Sequence, residues 1–273
     1  MRKKSLPLTI VLLLLMILFL IPFLIVFMNY FKSSLEISQD ILSFPKTLSL
    51  VNYRKAWAVL NISTTFVNTL LLAVIANVGL VVLGSMAGYW ISRYPGKFHG
   101  ILFGILIAAM AIPFETVMIP LVKVATNIHM VHSISKLGIC YWGMGASTYV
   151  FMVCGAVKAV PVELEESAYM DGYGPFRTFW KIVFPLLKST TVTMVIINTF
   201  WVWNDYLMPQ LLLGSEKQLQ TIQLSMRSLF LEYYSMWDIA LAGLVISLIP
   251  TVCLYLFGQR YIISGITAGA MKG

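Results

Sequence analysis

The chain has 273 residues, of which 59% are hydrophobic and only 11% are charged. A soluble domain carries about 25% charged residues, so a water-soluble globular fold is excluded and the bilayer is the expected solvent. The formal net charge is +8, from 19 Lys and Arg against 11 Asp and Glu. The basic residues are scattered over short loops, which reads as a membrane-topology signal and not as a nucleic-acid surface.

Six stretches are long and apolar enough to span: 6–31, 66–91, 98–122, 137–157, 189–213 and 239–258. Each approaches the ~20 apolar residues that a spanning helix needs. Helices are expected, because hydrocarbon leaves no partner for free backbone groups and no barrel-like alternation is visible. The fold class is therefore an all-α membrane protein with six transmembrane helices in a single domain, 1–273. The first stretch is too long for a signal-peptide core, carries Pro22 and lacks a small-x-small cleavage site, so a retained helix is expected.

With the N-terminus inside, the basic residues are biased toward the N-terminal side, and Arg93 and Lys97 sit in a short acid-free loop on that side. Both termini then lie in the cytoplasm, including Arg2, Lys3 and Lys4 at one end and the tail 259–273 at the other.

In the second stretch Gly84 and Gly88 form a GxxxG, and Gly100 and Gly104 repeat it in the third. Such pairs let helices approach closely, here within the chain. Pro113 and Pro120 are expected to interrupt the third stretch. With the isolated acid Glu115 beside them, they suggest a helix lining a cavity. Cys140, Cys154 and Cys253 lie in apolar stretches and read as buried small residues. His129 and His132 have no third partner nearby for a metal.

Between the fourth and fifth stretches, residues 158–188 form a polar elbow. Pro161 suits a first helical position, and Glu163, Glu165 and Glu166 follow near the positive end of the helix dipole. Gly172 caps that helix at its C-terminus. A second short helix starts at Pro175, places Phe176, Phe179, Trp180 and Val183 on one stripe, and stops at Pro185. The stripe suits a helix lying on the membrane surface and equally a helix docked in a partner's groove.

Glu166, Ala168, Gly172, Ile182 and Pro185 stand at the spacing of the "EAA" signature, and the segment resembles that of binding-protein-dependent ABC importer permeases. Ser167 and Tyr173 depart from the alanines usual in that family and leave the glycine elbow intact. The run from Ala87 to Arg93, the pairs Ile112-Pro113 and Ile119-Pro120, the stretch from Trp203 to Tyr206, and the tail from Gln259 to Gly273 are similar to the maltose-type carbohydrate branch, in its second permease subunit. The resemblance implies a heterodimer with another permease, two ATPase subunits that hold ATP and Mg²⁺, an extracytoplasmic sugar-binding protein, and a bacterial cytoplasmic membrane with its lipid. It assigns ATPase coupling to Glu166, Ser167, Ala168, Asp171, Gly172, Phe176 and Pro185, and packing of the elbow onto its own helix ends to Phe176, Phe179 and Trp180.

No phosphate loop is present: Gly96-Lys97 is followed by Phe98 and lacks the preceding glycine. The chain is thus expected to be a non-catalytic subunit that binds no cofactor itself. Asn198, Trp201, Asn204 and Asp205, with Glu115, are the candidates for a substrate pathway. Trp201 and Asp205 stand four apart, and rings and amides suit sugar faces and hydroxyls. The same tryptophans also suit interfacial anchoring. A secondary transporter would need ionisable coupling pairs inside the spans, and a membrane enzyme would need a nucleophile–base or metal cluster; neither pattern is visible. A permease for an amino acid or osmolyte competes more closely.

Overall fold

The computed structural model describes residues 6–232 and 236–270. It is 81% helical and has no strand among the described residues. Arg2, Lys3, Lys4 and the end of the tail, Met271 to Gly273, lie outside the described residues, and so do the side chains of Arg260 and of 262–270.

The helices are α1 (Leu6–Asn29), α2 (Ser34–Gln39), α3 (Val51–Val59), α4 (Ile62–Gly79), α5 (Ser85–Arg93), α6 (Lys97–Met110), α7 (Phe114–Asn127), α8 (Ile134–Val157), α9 (Glu163–Met170), α10 (Pro175–Thr178), α11 (Phe184–Leu186), α12 (Lys188–Asn204), α13 (Leu207–Leu213), α14 (Ile222–Glu232) and α15 (Trp237–Ala270). Four unbroken segments are long and apolar enough to cross a membrane: Leu8–Asn29, Ile62–Arg93, Ile134–Val157 and Trp237–Gln259. Two bent pairs bring the number to six if each is one span. The expected helical membrane fold is present.

Two expected spans are reshaped. α6 and α7 meet at 109°, and the break falls at Pro113. Pro120 lies inside α7 without ending it. Its ring removes one backbone donor, but the helix continues, so one proline of the two does the breaking. The stretch 189–213 also divides. α12 ends at Asn204, Asp205 takes extended backbone, and α13 begins at Leu207. Asp205 Oδ1 accepts the Leu207 N–H at 2.8 Å, the bond of an N-terminal cap, and so starts the new helix.

The chain divides into two compact units. The first holds residues up to Ser63 and Ser225–Pro250. In it, α1 carries an apolar stretch that is not buried within the chain until Asn29 at its end. The loop that follows is tied by side chains: Lys32 is buried and donates to the Asp40 carbonyl at 3.0 Å, and Asn52 donates to the Tyr30 and Lys32 carbonyls. Ser33 and Glu36 form a capping box on α2.

The second unit, Thr64–Leu224 with residues from Thr251 onward, carries the elbow. Its axis is α8, which packs against α5, α6 and α12 and buries residues on several of its faces. Apolar burial drives helix association weakly in lipid, so close approach must come from shape. A side-chain carbon at Gly84 would stand 2.6 Å from Tyr149 Cδ1, and one at Gly88 2.6 Å from Val153 Cγ1. This GxxxG therefore packs α5 on α8 within the chain, as expected. Gly100 and Gly104 differ, with open space where a side chain would stand. Cys154 is buried, Cys140 half-buried and Cys253 exposed, so the last corrects the expectation of three buried thiols.

Candidate functional site

The elbow is built as two short helices around one glycine. α9 is preceded by Val162 as its N-terminal cap residue, so Pro161 sits just outside the helix and not at its first position. Three acids occupy the first turn, facing the positive end of the dipole. At the other end Gly172 adopts φ +80°. Its N–H bonds the Tyr169 carbonyl at 3.0 Å, and the Tyr173 N–H bonds the Ala168 carbonyl at 2.9 Å. These two bonds are a Schellman motif, which requires a left-handed residue between the helix and the next segment.

The second helix opens at Pro175 as expected. From Phe179 to Val183 it widens into a π turn and then closes through α11. Phe179 and Val183 are buried against Tyr89, Tyr149, Val153, Val157 and Leu187, with Trp180 half-buried beside them. Phe176 is 66% exposed and does not join that core. Packing of the elbow onto its own helix ends thus rests on Phe179, Val183 and Trp180. Pro185 lies in α11, and the chain bends by 76° between Leu186 and Lys188.

The junction between elbow and membrane helices is electrostatic. Glu165 is 3% exposed. Arg93 Nε donates to its Oε1 at 2.6 Å, and Tyr89 Oη donates to its Oε2 at 2.7 Å. Arg93 Nη2 also donates to the Val160 carbonyl at 2.7 Å. Tyr89 and Arg93 are four apart on α5, so one face of that helix grips one carboxylate. A hydrogen bond with Tyr169, helped by partial burial, pushes the Tyr94 phenol above its ordinary range, a further tie between the end of α5 and α9. Glu165 entered the sequence reading only as a dipole partner. The signal for its role was the Tyr89–Arg93 spacing, but its acceptor lies 72 residues away.

Of the expected coupling residues, Glu166, Ser167, Asp171 and Gly172 lie on the exposed edge of the elbow. Ser167 Oγ donates to the Glu163 carbonyl at 2.9 Å. Ala168 is 4% exposed and faces inward. Arg177 lies over the Tyr173 ring at 4.2 Å, which braces the outer side of the turn.

Of the expected pathway residues, Asn198 and Trp201 share a cavity of about 210 Å³ with Leu80, Met144, Thr148 and Tyr149. Asn198 Nδ2 donates to Asn77 Oδ1 at 3.1 Å, and Asn77 Nδ2 donates to Thr199 Oγ1 at 2.9 Å. This polar cluster between α4 and α12 was not anticipated, although an Asn in the middle of an apolar run is its signal. Asp205 does not share a helical face with Trp201, because it has left α12. The two are linked through Tyr141 instead, which donates to Asp205 Oδ2 at 2.6 Å and meets the Trp201 ring edge-on at 5.2 Å. Asn204 is exposed and bonds back to the Phe200 carbonyl. Glu115 is exposed in the first turn of α7 and lines none of these surfaces.

Residues 80–263, which include the elbow, its clamp and the cavity, match the family described as binding-protein-dependent transport system inner membrane component. The chain belongs to that family. It is 39% identical over 242 residues to a probable starch degradation products transport system permease protein, AmyC, of Thermoanaerobacterium thermosulfurigenes, covering 89% of this chain and 88% of that one. It is 32% identical over 231 residues to a melibiose/raffinose/stachyose import permease protein, MelC, of Bacillus subtilis, covering 84% and 83%. Its fold is similar to a chain of a bacterial ABC transporter that imports the acidic polysaccharide alginate, with a TM-score of 0.76, 18% identity and coverage of 96% and 98%. As an inner membrane component of a transport system, the chain is a permease subunit and not an enzyme.

Proposed function

We propose that this inner membrane component is one of two permease subunits of an ATP-driven carbohydrate importer. Its elbow, 158–188, takes force from an ATPase subunit. The observation that carries the reading is the two-sided build of the elbow. One side, through Glu165, Phe179 and Val183, is locked to the membrane helices. The other side presents Glu166, Ser167, Asp171 and Gly172 to solvent. A rigid piece with one anchored face and one free polar edge can pass a displacement on without absorbing it. When two ATPase subunits close on ATP and Mg²⁺, the elbow moves with them and the spans switch access as rigid bodies.

The carbohydrate class is supported by the printed functions of the relatives, starch degradation products and the melibiose–raffinose–stachyose group. The cavity of Asn198 and Trp201 has the ring and amide chemistry for a sugar. At about 210 Å³ it is smaller than the ~300–1,000 Å³ of a complete small-molecule site. It therefore serves as one wall of a path completed by the second permease. An extracytoplasmic sugar-binding protein delivers the substrate from the side opposite the elbow. The elbow, both termini and the tail 259–273 lie in the bacterial cytoplasm.

Co-purification tests this. The tagged chain, co-expressed with its cognate transporter subunits, is expected to carry along an ATPase, and Glu166→Lys with Asp171→Lys to release it. A chain that binds no ATPase and alone transports solute in proteoliposomes would be a secondary transporter, and the proposal would fail.

A further inference from the structure

Leu80 is the first residue of the π turn that joins α4 to α5. Its side chain lines the cavity of about 210 Å³, together with Gly145, Asn198 and Trp201. Single π turns inside longer helices are frequent at functional sites. The backbone ahead of this one is held from α8. Trp142 Nε1 donates to the Ile75 carbonyl at 2.7 Å, and the Trp142 ring covers Gly79 so closely that a side-chain carbon there would overlap it. The Leu80 side chain is held as well. It is 3% exposed and belongs to the core of Tyr149, Val153 and Met194. On the α8 side it is seated against Gly145. A side-chain carbon at Gly145 would stand 2.7 Å from Leu80 Cδ1 and 3.5 Å from Asn198 Oδ1.

The wall at this point is therefore one leucine against one bare backbone position. Leu80 is packed on its core side, so a side chain at Gly145 displaces it toward the cavity, and the added methyl occupies cavity space itself. Both effects narrow the path. Shortening Leu80 does the reverse. A path that switches access encloses the whole sugar between its two openings, so the volume that the wall leaves free limits the size of sugar that passes. We propose that Leu80 and Gly145 set how large a sugar this permease admits, with Leu80 as the specificity-determining side chain and Gly145 as the notch that keeps it out of the path. This rests on the reading of the cavity as one wall of a carbohydrate path. It predicts size changes of opposite sign at two touching residues, which a general loss of stability does not produce.

The test is uptake of maltose and maltotetraose by proteoliposomes that hold the complete transporter, with its binding protein saturated by each sugar. Both are starch fragments, the class named for the AmyC relative. The same binding protein serves every variant, so a change in the ratio of the two rates belongs to the permease. Gly145→Ala should lower the maltotetraose-to-maltose ratio about tenfold, the lower end of what one methyl-sized change is worth in an apolar pocket. Leu80→Ala should raise the ratio. Leu80→Val, a smaller cut, should raise it less, and it decides the matter if Leu80→Ala does not assemble. Gly155→Ala, on α8 where a side chain meets open space, should leave the ratio unchanged. Ratios equal to wild type in the Gly145 and Leu80 variants, or shifts of the same sign in both, would overturn the proposal and leave the carbohydrate path standing. A wild-type complex that takes up neither sugar but carries another solute would instead remove the carbohydrate reading, and this proposal with it.

Discussion

Gly172 and Glu165 are seven positions apart in the elbow, and they fail in different ways. At Gly172 a side chain would meet nothing within 4 Å, so crowding is absent and only the φ of +80° resists substitution. Gly172→Val is expected to destabilise the purified chain by ~1–2 kcal/mol, the cost of left-handed backbone for an L-residue. Gly172→Asn should cost less, because Asn tolerates that region. Equal thermal shifts for both would mean that the φ does not control the cap. At Glu165 the determinant is a buried pair. Removing either partner of a buried pair typically costs ~3–5 kcal/mol, so Arg93→Ala and Glu165→Ala should each lower the melting temperature strongly. The double variant should lose less than the two added together. Strict additivity would show that the two side chains do not depend on each other. The glycine was legible in the sequence because its requirement is local: a run of helix formers, then a residue free to turn left. The clamp was not, because nothing near Glu165 distinguishes it from Glu163 or Glu166. Only the fold decides which of the three acids points inward.

Elements repeat this contrast. Prolines, glycines and apolar runs marked most of the helices, including the start of α10 at Pro175 and the break at Pro113. Pro120 has the same sequence signal as Pro113 and leaves α7 intact, since packing decides whether a lost backbone bond ends a helix. The π turns at Leu80–Gly84 and Phe179–Val183 have no sequence signal of their own. Phe176, in phase by counting, stays exposed with its ring edge against Trp180. The Asp205 break was hidden by the apolar residues on both sides of it, and with it the Tyr141 link to Trp201. The glycine pairs offer a test at this scale. Gly84→Leu drives a side chain into Tyr149 and should cost ~1–3 kcal/mol by overpacking. Gly104→Leu enters open space and should leave the melting temperature nearly unchanged. A large loss from Gly104→Leu would place an unseen helix against that face.

For the molecule as a transporter component, composition alone excluded a soluble protein, and the six apolar stretches anticipated the membrane helices. The proposed direction in which the chain crosses the membrane rests on its charge bias and can be measured in intact cells. With the three native cysteines replaced, Asp171→Cys on the exposed elbow should react with a membrane-impermeant maleimide only after the cells are opened. Labelling of intact cells would invert the topology. The central claim is that the elbow carries force between ATP hydrolysis and transport. It is tested most directly by the ATPase activity of the complete reconstituted complex, with and without the sugar-loaded binding protein, for wild type and Gly172→Pro. Proline fixes φ near −65°, against the +80° that this turn requires. The account predicts that wild-type hydrolysis rises on adding the loaded binding protein, while the assembled variant hydrolyses ATP without responding. A variant complex stimulated as strongly as wild type would contradict it.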